Sequence, residues 1–120
     1  MNRRTTGLLG EKLAKSFLQK KGYRILTINY RCRGGEIDII ASHKHVIVFI
    51  EVRAKTILDF GIPEESVTSI KKNRLIQTAL TYLNLTDRMQ AQWRIDFIAL
   101  ELTAQGEIIR VNHIENAVTA

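Results

Sequence analysis

Apolar residues recur along this chain in two rhythms, one helical and one alternating. From Thr6 to Lys21, Leu9, Leu13, Ala14, Phe17 and Leu18 fall three or four positions apart, which predicts an amphipathic helix. Thr6 is placed to cap its start and Gly22 to stop it. Tyr23 to Tyr30 has a strand-forming composition, and the run Arg31-Cys32-Arg33-Gly34-Gly35 reads as a flexible loop after it. Two strands follow, Glu36 to Ala41 and Val46 to Arg53, dominated by Val, Ile and Phe as buried central strands are, with Ser42 to His45 as the turn between them.

Beyond Lys55, Gly61 and Pro63 punctuate a connection into a second helix that begins between Glu64 and Ser69. Ile76, Ala79, Leu80 and Leu83 form its apolar stripe, with Lys71, Arg74 and Thr78 on a common face off that stripe. Asn84 to Gln90 is a polar break. Trp93 to Leu102 alternates as a strand, Glu107 to Asn112 reads as a last one, and the tail from His113 carries no pattern. The order helix, three strands, helix, two strands predicts an α/β fold, a mixed central β-sheet flanked by helices.

Length and composition narrow the class without naming a function. A chain of 120 residues suits one domain, so 1–120 is read as a single unit. Hydrophobic content of 45% with 25% charged residues excludes a disordered or fibrous chain. Eighteen Lys and Arg against twelve Asp and Glu leave +6, which favours a polyanion such as DNA as partner, although a solvated basic face has the same signature. Arg31, Arg33, Lys71, Lys72 and Arg74 are the cations suited to a phosphate backbone. Cys32 is the sole cysteine, so no intramolecular disulfide forms and a reduced compartment, the cytoplasm, is expected. Charged residues interrupt the amino terminus before signal-peptide length, and no window approaches a membrane span.

The chemistry lies in the acids that interrupt the two central strands. Alternation puts Glu36, Asp38 and Ile40 on one face of the first, and Phe49, Glu51, Arg53 and Lys55 on one face of the second. A hairpin loop with an even number of residues then brings Asp38 and Glu51 to the same face, roughly 5–8 Å apart at their β-carbons. Two carboxylates that close repel each other unless a proton or a cation lies between them. Mg²⁺ suits the pair, because it accepts one or two carboxylates, keeps waters and lets substrate phosphates complete its shell. Arg53 and Lys55 add positive charge beside it, as hydrolysis of a phosphodiester requires. Salt bridges from Asp38 and Glu51 to Arg53, Lys55 or Arg94 account for the same spacing. Glu11, on the first helix between Gly7 and Ala14, has room to approach another element, and it also fits an exposed helical acid. His43-x-His45 is a metal-ligand spacing within a turn, where polar turn residues explain it as well.

A wider set of motifs carries a resemblance. Gly7 to Glu11 reads G-x-x-G-E, followed by Gly22-Tyr23, Asn29-Tyr30-Arg31, G-E-I-D at Gly35 to Asp38, F-I-E-V-R at Phe49 to Arg53, Phe60-Gly61 and the helix start at Lys71 to Arg74. This combination resembles the small bacterial YraN-like proteins. That family looks like the PD-(D/E)xK nuclease superfamily, with its restriction-endonuclease-like core, and is similar in layout to archaeal Holliday junction resolvases. The resemblance implies that Asp38 is the motif aspartate, Glu51 the second acid, and Glu11 the helical acid completing a Mg²⁺ or Mn²⁺ site. Arg53 occupies the position of the superfamily's signature lysine, a departure, because arginine holds a phosphate but cannot lose a proton. Lys55 would then have to stand in, and Lys71 is an accessory phosphate contact. A resolvase-like protein would also work as a symmetric homodimer on branched DNA.

Three functions stay open on this basis. One is a metal-dependent endonuclease acting on structured DNA; another is a DNA-binding module of the same fold whose catalysis has lapsed at Arg53. The third is a scaffold whose acids form only ion pairs.

Overall fold

The central hairpin turns on two residues, Lys44 and His45, both in the left-handed region with φ of 49° and 67°. Turns of that kind match the twist of the strands they join, which is why so short a loop is stable here. The computed structural model describes residues 1–59, 61–66 and 68–118. In it the hairpin joins β2 (Gly35–His43) to β3 (Val46–Thr56); β2 runs two residues closer to the turn than its apolar run suggests, while β3 starts at Val46 as expected and extends past Arg53 at its other end. His43, expected in the turn, instead ends β2 and stacks on Tyr23 with ring centroids 4.0 Å apart.

Around this hairpin the elements follow the predicted order, with α1 (Arg3–Lys20), β1 (Arg24–Cys32), α2 (Ser69–Leu85), β4 (Gln92–Leu102) and β5 (Ile108–Ile114). One sheet contains the strands in the order β1-β2-β3-β4-β5. All neighbours are antiparallel except β3 and β4, which are parallel and register Val46 with Gln92 through Thr56 with Leu102. A parallel pair needs a crossover, and α2 supplies it.

The two helices cover opposite faces. Ala14 and Leu18 of α1 pack with Ile39, Val48, Ile50 and Val52; Leu75, Ala79 and Leu83 of α2 pack with Ile37, Ile40, Phe49 and Ile95. Burial on both faces explains why β3 and β4 read as nearly unbroken apolar runs. Among the described residues, no helix is long and apolar enough to cross a membrane.

Several boundaries differ from the expectation. Asn2, not Thr6, caps α1 by accepting from the Thr5 amide at 2.8 Å; Thr6 lies inside the helix and its hydroxyl donates to the Asn2 carbonyl. β1 extends to Cys32, leaving Arg33 and Gly34 as the turn in place of a five-residue loop. Thr68 caps α2, and its buried face is Leu75, Thr78, Ala79, Tyr82 and Leu83, rotated from the predicted stripe. Thr78 is buried because its hydroxyl donates to the Arg74 carbonyl, so no polar atom is stranded. Of the Phe60-Gly61 motif, Phe60 lies outside the described residues, as do residues 119–120 of the tail.

Candidate functional site

The even loop sets the register of the hairpin: Ile39 faces Ile50 and Ile40 faces Phe49. The next pair would be Asp38 and Glu51, and there β2 and β3 part, β2 continuing along β1 and β3 along β4. The Asp38 side chain occupies the opening and takes over the ladder's role, with Oδ2 accepting from the Val52 amide at 2.8 Å. Strict alternation fails at this point. Ile37 joins Ile40 in the layer under α2, while Ile39 belongs to the layer under α1, so the strand turns on itself at Asp38. On β1 the ladder skips Asn29 between Ile28 and Tyr30, and Asn29 has a φ of 52°. The expectation that Glu36, Asp38 and Ile40 line one face is therefore corrected: Glu36 is exposed and pairs with Arg31 at 3.2 Å.

Glu51 is buried, and Arg53 Nη2 donates to its Oε2 at 3.1 Å while Arg53 Nη1 donates to the Val52 carbonyl at 3.3 Å. Of the salt bridges weighed from sequence, this one forms; Arg94 bonds Asp96 instead. Glu11 arrives from the opposite layer. α1 crosses β3 at Gly10, where an added Cβ would lie 2.5 Å from the Ala54 Cβ, so only glycine permits the approach that presents the next residue to β2. The tight position is thus Gly10, not Gly7, which has open space around it.

These placements bring Glu11, Asp38 and Glu51 into one electrostatic group. Burial, reinforced by a side-chain hydrogen bond and repulsion from Glu51, pushes Asp38 up to about 9; the Val52 amide opposes this. Burial also raises Glu11, with a hydrogen bond to Asp38 opposing and the charges of Glu36 and Glu51 adding. One proton is therefore shared at Asp38, the direct consequence of crowding acids where water is scarce. Among the described residues, no three His, Cys, Asp or Glu side chains close on a common point as a finished metal cage.

Of this group Glu51 lines a cleft of about 280 Å³, together with Gly35, Glu36, Arg53, Lys71, Arg74 and Leu75. Gly35 lets α2 come this close, since an added Cβ would lie 2.9 Å from Thr78 Oγ1. Of the predicted phosphate contacts, Lys71 and Arg74 line the cleft and Arg31 reaches its rim through Glu36. Arg33 is exposed in the turn, and Lys55 lines a different cleft with Arg3, Thr6 and Asp59. His43 and His45 lie at the hairpin's far end.

The model of the Uncharacterised protein family UPF0102 matches residues 10–100. The chain belongs to that family. It is 42% identical over 118 residues to the UPF0102 protein of Caldanaerobacter subterraneus subsp. tengcongensis, covering 98% of this chain and 97% of the other. Against the UPF0102 protein of Carboxydothermus hydrogenoformans the identity is 44% over 116 residues, 97% of each chain, and against that of Geobacter metallireducens 39% over 117 residues, 98% and 94%. Glu11, Asp38, Glu51, Arg53, Lys71 and Arg74 all fall within the part that defines UPF0102. In structure the chain is similar to Pyrococcus furiosus SfsA in complex with Ca²⁺, at a TM-score of 0.44 and 17% identity over 98% of this chain and 65% of that one, too loose a likeness to bear on function.

Sequence patterns missed a second buried polar group. Asp96 is fully buried and accepts from Arg94 Nε at 2.9 Å and from the Asn116 amide at 2.9 Å, with His113 Nε2 at 2.8 Å from its other oxygen. An acid in the middle of the apolar run of β4 was the available signal; apart from Arg94 on the same strand, its partners lie from His113 on, where the sequence shows no periodicity.

Proposed function

We propose that the protein is a nuclease-like DNA-processing protein of the restriction-endonuclease-like, PD-(D/E)xK kind, hydrolysing phosphodiesters at Asp38 and Glu51 with Mg²⁺ or Mn²⁺. One observation carries this reading: Asp38 and Glu51 meet where β2 and β3 diverge, Asp38 held by the Val52 amide, and Glu51 opens with Arg53, Lys71 and Arg74 onto one cleft. A divalent cation in place of the shared proton relieves the same repulsion, and hard carboxylate oxygens are the donors Mg²⁺ and Mn²⁺ accept. The open donor set, with Glu11 in reserve, leaves positions for water and phosphate. When bound, the ion supplies an acidified water and polarises the phosphate.

The chain's own groups divide the remaining work. Asp38 is fixed by the Val52 amide, and Glu51 by Arg53, so neither carboxylate needs to reorganise. Arg53, Lys71 and Arg74 hold the phosphate and offset its added charge. DNA is the partner, on the strength of the +6 charge and these cleft cations.

A specific contact favours a second reading. Arg53 donates to Glu51 at 3.1 Å, so the guanidinium at the lysine position neutralises the acid and cannot take a proton from water. On that reading the fold binds DNA without cutting it. Incubation with duplex, single-stranded, flap and four-way-junction DNA, with and without Mn²⁺, separates the two. Cutting that needs Mn²⁺ and disappears in Asp38→Ala and Glu51→Ala is expected. Metal-independent retention without cutting leaves the binding module, and cutting unchanged by both substitutions overturns the site.

A further inference from the structure

The end of the sheet farthest from the acids holds a second cationic surface. The β2–β3 turn, the start of β1 and the segment after α2 enclose an open basin lined by Arg24, Ser42, His43, Lys44, His45 and Arg88 among others, with no carboxylate in its lining. Arg31, Arg53, Arg94 and Arg110 are each paired with an acid, whereas among the described residues Arg24, Lys44 and Arg88 have no salt bridge.

The basin's parts are held in place. Arg88 Nη1 donates to the Tyr82 hydroxyl at 3.0 Å, which aims a long side chain that would otherwise wander. Lys44 projects from the two-residue turn whose left-handed residues fix its direction. Tyr23, stacked flat on His43, is anchored in turn by Arg94 Nη2 at 2.8 Å. Burial, then the charges of Lys44, Arg94 and Lys21, hold His43 below the usual histidine range, with Glu115 opposing; Arg24, Lys44 and Arg88 are the basin's permanent cations.

We propose that this basin is a second binding site for a nucleic-acid phosphate backbone, separate from the acid cleft and engaged by the same DNA. The inference rests on DNA being the partner, as proposed above. The spacing suits it: Lys71 and Arg74 lie in the first turns of α2, and Arg88 just beyond its end. The five strand steps from Val46 to Glu51 and the length of α2 both separate the two sites by on the order of 20 Å. Phosphates along one strand of a duplex repeat at 3.4 Å, so about six steps bridge that distance. Three cations without a salt bridge, in a lining that holds no carboxylate, suit a backbone contact, which gives affinity and register without reading bases.

Fluorescence anisotropy on the full chain in EDTA, with labelled duplexes over a salt series, tests this without cleavage interfering. Arg24→Gln/Lys44→Asn is the main variant, both positions being exposed and Asn tolerating the left-handed turn; Arg88→Gln is the second, and unchanged circular dichroism certifies the folds. The double variant should bind about five- to tenfold more weakly and lower the salt slope by about two, and Arg88→Gln by about one. Parental affinity and slope in both variants overturn the proposal, as does failure of the parent to bind DNA at low salt. Retention of poly-glutamate with no retention of DNA also overturns it, pointing to an acidic protein instead. DNA held through the basin by a chain that never cuts leaves this site standing while the catalytic reading falls.

Discussion

At the scale of single residues, Asp38 ties stability and function in opposite directions. Its folded pKa lies above the ordinary carboxyl value, so the folded metal-free protein binds the proton more tightly than the unfolded chain. That contribution is fully present below the unfolded value of about 4 and is lost as pH rises toward about 9. In EDTA at neutral pH, Asp38→Asn should therefore stabilise the protein by about 1–2 kcal/mol, raising Tm by about 3–8 °C, because an amide still accepts from Val52 and donates to Glu51. Asp38→Ala, which strands the Val52 amide, should not. Thermal melts of parent and variants across that pH range decide the point; a parent whose Tm does not fall with pH would contradict the shared proton. Arg53 tests catalysis alone. Under single-turnover conditions with Mn²⁺, Arg53→Ala should cut about 10²-fold more slowly, and Arg53→Lys should recover most of that loss. Both residues could be picked out in the sequence, as interruptions of apolar strands. What could not was the direction of the Asp38 side chain, because the period of two assumes an unbroken strand and this one turns at Asp38.

At the scale of elements, α1 matters for where it touches the sheet. The Gly10–Ala54 contact leaves no space for a methyl group, so Gly10→Ala must lift the helix and draw Glu11 from Asp38. We expect a loss of about 1–3 kcal/mol, partly restored by Ala54→Gly in the double variant, with urea denaturation of the four combinations measuring the coupling. A G-x-x-G-E motif points to a glycine requirement without saying which glycine is constrained, since both sit one turn from plausible neighbours. The predicted face of α2 failed for a related reason. Thr78 counts as polar in a periodicity argument, yet with its hydroxyl bonded to the Arg74 carbonyl it packs as an apolar residue against Gly35.

At the scale of the whole molecule, two polar clusters hold the far strands, one half-buried around Glu64 and one buried around Asp96. Arg110 Nη1 and Nη2 donate to both oxygens of Glu64, at 2.6 and 2.8 Å, and Asn112 donates to Glu64 at 3.0 Å. Arg110 above all holds Glu64 down at about 2, against burial. Burial pushes Asp96 up, but His113, Arg94 and the Asn116 amide together outweigh it and keep its pKa below the ordinary value. Both carboxyls thus stabilise the fold above their unfolded values; Glu64's share is lost as pH falls from about 4.5 toward about 2, and that of Asp96 as pH falls below its ordinary value of 3.8. Denaturation midpoints should drop through this window, and Asp96→Ala should flatten the drop while costing about 3–5 kcal/mol at neutral pH, because Arg94 would lose its buried partner.

The sequence by itself determined the elements, their order, the mixed sheet and the two acids of the central hairpin. Those follow from local periodicity; that the hairpin loop is even, and so brings the two acids together, was a condition the structure met with a two-residue turn. The tertiary structure decided which glycine admits α1, where β2 and β3 part, and that Lys71 and Arg74 face Glu51 while Lys55 does not share their cleft. It also joined Asp96 to a tail that shows no periodicity. Each of these depends on close approach between residues distant in the chain, and close approach is set by packing, which no local pattern encodes.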